Sequence, residues 1–234
     1  MIITNIKVFN NACKVMEKFC KLSKGDKEKL FHNVFFMDKN LMCSTNGKFL
    51  AIRNMSDCVI NTETFAFPCN LKPIKFVTMD GEKLIIESRR EDYFSNDKKE
   101  VMDFNWKRVV PTNPKIEKIY DFSDHNFTLP YDDKSVVIFH ENGEVEFKYN
   151  DNLDIIATYG DVQSDKDSMF EVENKNIAKV SFPMTNIMNI LKLSKKFIYQ
   201  EFDGDNEHSY SARVFIIKDY KFIVMPMRKG LEGW

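Results

Sequence analysis

Apolar residues in this chain come in short runs broken by turn-forming residues, and the breaks fall in a similar order twice. In NVFFMDKNLMCSTNGKFLAIRN (33–54), three alternating runs are separated by Asp38-Lys39-Asn40 and by Asn46-Gly47. Asn-Gly is a strong hairpin signal because both residues tolerate positive φ, so the stretch predicts a meander of strands. SVVIFHENGEVEFKYNDNLDIIATYG (135–160) repeats the idea, with Asn142-Gly143 and Asn150-Asp151-Asn152 as its turns. Each meander is followed by a strand, a Phe-Pro pair, a short helical stretch and another strand: TFAFPCNLKPIKFVTMDGEKLIIES (64–88) and KVSFPMTNIMNILKLSKKFIYQEF (179–202). Phe67-Pro68 and Phe182-Pro183 are the matching points. Proline suits the first turn of a helix, where its missing N–H is not needed.

The segment PTNPKIEK (111–118), with two prolines and no apolar periodicity before Ile116, is the candidate linker. The pattern therefore predicts an α+β protein of two duplicated modules, 1–113 and 114–234, each of antiparallel sheet with helices on one face. One helix follows from period alone. Between Asn10 and Leu22, Ala12, Val15, Met16, Phe19 and Leu22 recur at helical spacing, with Lys14, Lys18 and Lys21 on the other side. A second helix, Met184 to Lys196, turns Ile187, Met188 and Leu191 inward and ends on Lys192, Lys195 and Lys196. A solvated face is the plain reading of such lysines, and at a helix C-terminus they also complement the dipole. The symmetry fails in IYDFSDHNFTLPY (119–131), which has no helical repeat and carries Pro130, so the first helix of the second module is lost or shortened there.

Composition narrows the class. Apolar residues make up 43% and charged residues 29% of the chain, as in ordinary globular proteins. No apolar run reaches the ~20 residues of a membrane span, and MIITNIKVFNN lacks the features of a secretory signal, so no membrane partner and a cytoplasmic location are expected. The five cysteines form no CxxC pair, which predicts reduced, mostly buried thiols and neither disulfides nor a metal site. The four histidines have no ligand spacing, and no GxSxG or P-loop motif is present. Asp154, Asp161, Asp203 and Asp205 fit acidic loops better than a metal site. An enzyme is not expected, nor is a cofactor. The net charge of −1 conceals an asymmetry: residues 1–115 hold 20 Lys+Arg against 14 Asp+Glu (+6), and 116–234 hold 14 against 21 (−7). That balance suits an anion-facing surface, or two oppositely charged modules that attract head to tail. High lysine, asparagine and phenylalanine usage points to an AT-rich genome such as that of a bacteriophage.

Three segments carry a resemblance. Val224-Met225-Pro226-Met227-Arg228, after the hairpin RVFIIKDYKFI, resembles the C-terminal end of bacterial replicative sliding clamps, the beta subunit of DNA polymerase III. Thr45 to Ala51, TNGKFLA, resembles the family's TDGHRLA turn, and Phe104 to Pro111, FNWKRVVP, resembles its FPDYRRVLP segment with one residue missing. The three occur in the family's order.

The resemblance implies a DNA clamp fold and a shallow apolar pocket that receives short linear peptides of DNA polymerase and clamp loader. Carried over by position, that pocket comprises Thr45, Gly47, Lys48, Phe49, Leu50, Arg108, Val109, Ile223, Val224, Met225, Pro226, Met227 and Arg228. A Met-Pro-Met rim is flexible and polarizable and adapts to several apolar anchors. The resemblance also implies double-stranded DNA as a sequence-independent partner, held by long lysines that meet phosphates: Lys14, Lys18, Lys21, Lys72, Lys75, Lys192, Lys195 and Lys196. Bacterial clamps carry three modules per chain and close as dimers, so a chain of two implies a homo-trimer, closed by repeated heterologous contacts. The family's final leucine position is Lys229 here, and the chain continues past it as GLEGW. A clamp-fold adaptor or viral structural protein that does not encircle DNA is the competing reading.

Overall fold

Asn5 starts the first helix, α1 (Ile6–Glu17), by accepting the Val8 N–H on its side-chain oxygen at 3.1 Å. The helix therefore begins before Asn10, where period alone starts it, and Phe9 joins Ala12 and Met16 on the buried stripe. In this computed structural model the described residues are 1–19, 34–62, 64–69, 84–85, 105–125, 135–140, 142–149, 154–159, 179–202 and 212–226. They fall into two units: Met1–Val110 with Lys218–Phe222, and Pro111–Ile217 with the residues from Ile223 onward. The expected division at 113/114 lies three residues from that at Val110/Pro111.

In unit 1 the short β1 (Ile2–Ile3) is followed by the meander β2 (Val34–Asp38), β3 (Leu41–Thr45) and β4 (Phe49–Asn54), then β5 (Val59–Ile60), β6 (Thr64–Pro68) and β7 (Leu84–Ile85). β6 returns to pair with β2, giving the order β6-β2-β3-β4. β1 lies between β5 and β7. Val34 to Met37 are all buried, so this sheet is covered on both faces instead of alternating in and out. One cover is α1, which packs on β3 and β4 and is pinned by the Ser44 hydroxyl donating to the Met16 carbonyl at 2.9 Å.

Unit 2 repeats the order. β8 (Ile116–Asp121) is followed by the meander β9 (Val136–His140), β10 (Val145–Tyr149) and β11 (Asp154–Tyr159), then β12 (Lys179–Pro183), the helix α2 (Met184–Leu191), β13 (Lys196–Glu201) and β14 (Arg213–Ile217); the last strand, β15 (Tyr220–Val224), belongs to unit 1 as far as Phe222 and to unit 2 from Ile223. The sheet β12-β9-β10-β11 reproduces β6-β2-β3-β4 strand for strand. The register agrees as well: Pro68 lies opposite Val34 and Pro183 opposite Val136, each at the start of its meander. Both Asn-Gly turns use one device. Gly47 takes φ 84° and Gly143 φ 89°, a region that glycine enters without a Cβ clash. The preceding asparagine keeps negative φ and accepts backbone N–H groups on its side chain: Asn46 from Lys48 and Phe49 at 3.1 and 2.8 Å, Asn142 from Glu144 at 3.1 Å. These are side-chain-stabilised turns, not two-residue hairpins with positive φ at both positions.

One sequence expectation changes here, the end of the second helix, while the strand β8 (Ile116–Asp121), paired along its length with β13, runs into the segment where the first helix of the second module is expected to be lost or shortened. No helix occurs between Ile119 and His125, and the rest of that segment lies outside the described residues. α2 ends at Leu191 instead of Lys196. Ser194 turns the chain by donating to the Lys196 carbonyl at 2.7 Å, and Lys196 already opens β13. The core of unit 2 is aromatic: Phe139 stacks on Tyr199 at 4.8 Å, and Phe215 meets Phe139, Phe182 and Tyr199 edge to face, which ties β9 and β12 to β13 and β14. No disulfide joins the described cysteines, of which Cys43, Cys58 and Cys69 are buried and Cys13 is half-buried.

Candidate functional site

The β3–β4 hairpin carries five of the residues chosen from sequence. Thr45 closes the turn from inside, donating its hydroxyl to the Phe49 carbonyl at 2.7 Å and accepting the Gly47 N–H at 3.0 Å. Gly47 and Lys48 are left exposed at the tip. Phe49 and Leu50 are buried instead. The Phe49 ring stacks on Phe19 at 4.6 Å and tilts against Phe222 at 5.8 Å, so it belongs to the core of unit 1.

Arg108 and Val109 lie on a short 3-10 helix, Trp106–Val109, in the same unit. Trp106 is buried beneath it, while Arg108 and Val109 are exposed, Val109 to 55%. Lys107 leaves this turn to form an ion pair with Asp38 at the end of β2. That contact holds the Asp38 carboxyl below the usual carboxylate range, with a hydrogen bond from the Thr64 hydroxyl at 3.1 Å acting in the same direction.

In the other unit, Ile223 and Val224 are buried as the end of β15, Met225 beyond them is 47% exposed and Pro226 is half-buried. Met227 and Arg228 lie outside the described residues.

The lysines divide in the same way. Lys14, in the last turn of α1, and Lys18, its C-cap, are exposed on the side opposite Ala12 and Met16. Lys192 is the exposed C-cap of α2. Lys195 is committed within unit 2, its ammonium donating to the carbonyls of His125 at 2.5 Å and Ser123 at 3.4 Å. Lys196 approaches Asp121 on the paired strand at 3.8 Å. Lys21, Lys72 and Lys75 lie outside the described residues. Among the described residues no cluster of three or more His, Cys, Asp or Glu is placed to hold a metal, and no helix is long and apolar enough to cross a membrane.

Neither family models nor curated proteins give a match to this sequence. Solved structures do. A DNA polymerase sliding clamp from Pseudomonas aeruginosa, with ligand, aligns over 97% of this chain at TM-score 0.57 and 12% identity. The Helicobacter pylori beta clamp bound to a DNA ligase peptide aligns over 97% at 0.58 and 10%, and DNA polymerase III subunit beta from Borrelia burgdorferi over 98% at 0.56 and 15%. This chain has the sliding-clamp fold. It spans 65%, 65% and 63% of those three chains, in the order given.

Within this clamp fold, several buried charges were not legible in the motifs. Arg53, 5% exposed, lies in the wall of unit 1 with its guanidinium 2.7 Å from Asp57, 2.9 Å from the Met55 sulfur and 5.3 Å from the Tyr220 ring centroid. Glu146 is buried on β10 between His140 at 3.2 Å and Lys148 at 3.3 Å. The Lys107–Asp38 pair was also missed, because its partners are far apart in sequence and neither belongs to a local pattern.

Proposed function

We propose that the chain is a sliding clamp: a DNA polymerase processivity factor that encircles duplex DNA without reading its sequence and tethers polymerase and clamp loader through short peptides. The observation that carries this reading is the clamp fold across 97% of the chain, in likeness to proteins that include one bound to a DNA ligase peptide. The peptide-binding residues of this reading are Thr45, Gly47, Lys48, Phe49, Leu50, Arg108, Val109, Ile223, Val224, Met225, Pro226, Met227 and Arg228. Lys14, Lys18 and Lys192 are the DNA contacts of this reading among the described residues. Modules 1–113 and 114–234 supply two sixths of a ring, and three copies close it head to tail, the +6 half of one against the −7 half of the next. The protein works by binding and performs no chemistry, in the cytoplasm of its cell or of a phage host.

A ring differs from an ordinary basic surface in being linked to its DNA topologically, and that link survives the salt that screens phosphate contacts. The protein is threaded onto a linear duplex from its free end, and both ends are then blocked with streptavidin. A clamp stays on at a salt concentration that strips it from unblocked DNA and leaves when one end is cut. Loss at the same salt from blocked and unblocked DNA would sink the encircling reading in favour of the non-encircling adaptor. Solution mass at three times the 27.6 kDa of the chain is the expected result for the ring, and monomer alone at micromolar concentration counts against it.

A further inference from the structure

The short helix Trp106–Val109 is a single turn, bounded by the Arg108 N–H to Asn105 carbonyl bond at 3.2 Å and the Val110 N–H to Lys107 carbonyl bond at 3.3 Å. Its two outward residues, Arg108 and Val109, are exposed. The orientation of that pair therefore depends on Trp106, which is buried, and on Lys107, whose ammonium pairs with Asp38 and stands 5.8 Å from the Trp106 ring centroid.

Asp38 is a firm anchor. Thr64 donates to it at 3.1 Å, and the turn that follows it is braced by three hydrogen bonds from Asn61 and Met55. The Asn61 amide donates to the Lys39 carbonyl at 2.8 Å, the Asn61 backbone N–H donates to the Asn40 side chain at 3.0 Å, and the Met55 N–H donates to the Asn40 carbonyl at 2.7 Å. Lys39 itself holds φ 53° there, a conformation a non-glycine residue keeps only where its surroundings fix it.

We infer that Lys107 and Asp38 form a latch that positions Arg108 and Val109 to receive the incoming peptide, an inference that rests on the pocket reading above. The side chain of Lys107 is 62% exposed and that of Asp38 15%, so the pair contributes little to holding the fold together. Its effect is on the fraction of molecules whose short helix is docked, and affinity for a ligand that needs the docked form scales with that fraction. Lys107 and Asp38 are thus positioning residues, and the factor at stake is about two- to fivefold, which is what an exposed ion pair supports.

The test uses the full chain with Trp234→Phe, which leaves Trp106 as the sole tryptophan. The probe is a fluorescein-labelled copy of the DNA ligase peptide carried by the Helicobacter pylori clamp. Lys107→Met and Asp38→Asn should each weaken the peptide by about two- to fivefold and make Trp106 more open to acrylamide quenching. Lys107→Arg should restore both readouts, and the double variant should be no worse than either single one, as expected for two groups that act only through each other. Unchanged quenching and affinity in the single variants, or losses that add in the double, overturn the latch. Val109→Glu separates the two levels. If it removes binding while the latch variants do nothing, the pocket stands and the latch falls; if it binds like the parent, the pocket reading falls and takes the latch with it.

Discussion

Lys195 donates from its ammonium to the carbonyl of His125 at 2.5 Å, fastening the loop after α2 to the turn that follows β8. The backbone adds a second tie, from the Phe122 N–H to the Lys195 carbonyl at 2.8 Å. Lysines that look alike in sequence therefore have different work. Lys195→Met should lower unfolding stability by about 1 kcal/mol while leaving DNA retention at the parent level. Reversal of Lys14 and Lys18 to Glu should do the opposite, with retention reduced, the salt dependence flattened by roughly one per lysine and the unfolding midpoint unchanged. Urea titration and salt-dependent retention on duplex DNA read the two effects, and exchange of the two outcomes would put Lys195 on the DNA.

Pocket residues divide along the same line between burial and exposure. Phe49 is 2% exposed and lies against Phe19 and Phe222, so Phe49→Ala should cost about 3–5 kcal/mol and act through unfolding. Val109 and Met225 are open to solvent, and Val109→Glu and Met225→Glu should stay within about 0.5 kcal/mol of the parent while losing peptide binding. Chemical denaturation alongside peptide titration distinguishes the two kinds of residue, and intact binding by both glutamate variants removes the pocket.

Titration of unit 1 has a definite sign at each end. Burial pushes the Cys58 thiol up to about 11, against the pull of the Arg53 guanidinium, and burial pushes Cys13 up to about 12. The fold favours the neutral thiols, so their contribution is complete below the unfolded thiol pKa of about 8.5 and is lost as pH rises from there towards the folded values. Asp38 runs the other way. The Lys107 hydrogen bond lowers its pKa, so its contribution is present above about pH 4 and is lost as pH falls through the depressed value. Denaturation midpoints measured from about pH 7 to about pH 10.5 should fall on the alkaline side for the parent and fall less for Cys58→Ala, by roughly the share of one thiol. An identical alkaline slope in both chains would rule out this assignment.

The doubling of the fold was legible because its signals are local. Gly47 and Gly143 sit where positive φ is needed, and Pro68 and Pro183 end strands in the same register. What escaped the sequence depends on partners elsewhere in the chain. Asn5 caps α1 ahead of the apolar period, and Ile6 behind it is exposed, so the first turn carries no periodic signal. Ile116–Asp121 became a strand because β13 offers a partner along its whole length. In the candidate pocket, the turn residues Thr45 to Leu50 follow from the motif, but the motif carries no sign that Phe49 points into a cluster completed by Phe222. Lys107 was invisible for the same reason, since only the fold brings Asp38 to it.

Unit 1 is assembled from Met1–Val110 and from Lys218–Phe222. Phe222 fills the space beside Phe19 and Phe49, at 4.8 and 5.8 Å, and the Asp219 carbonyl accepts the Asn54 N–H at 3.1 Å. During translation the first module thus leaves the ribosome with a greasy gap in its side. It waits, open to chaperones and to other nascent chains, until almost all of the second module has been made.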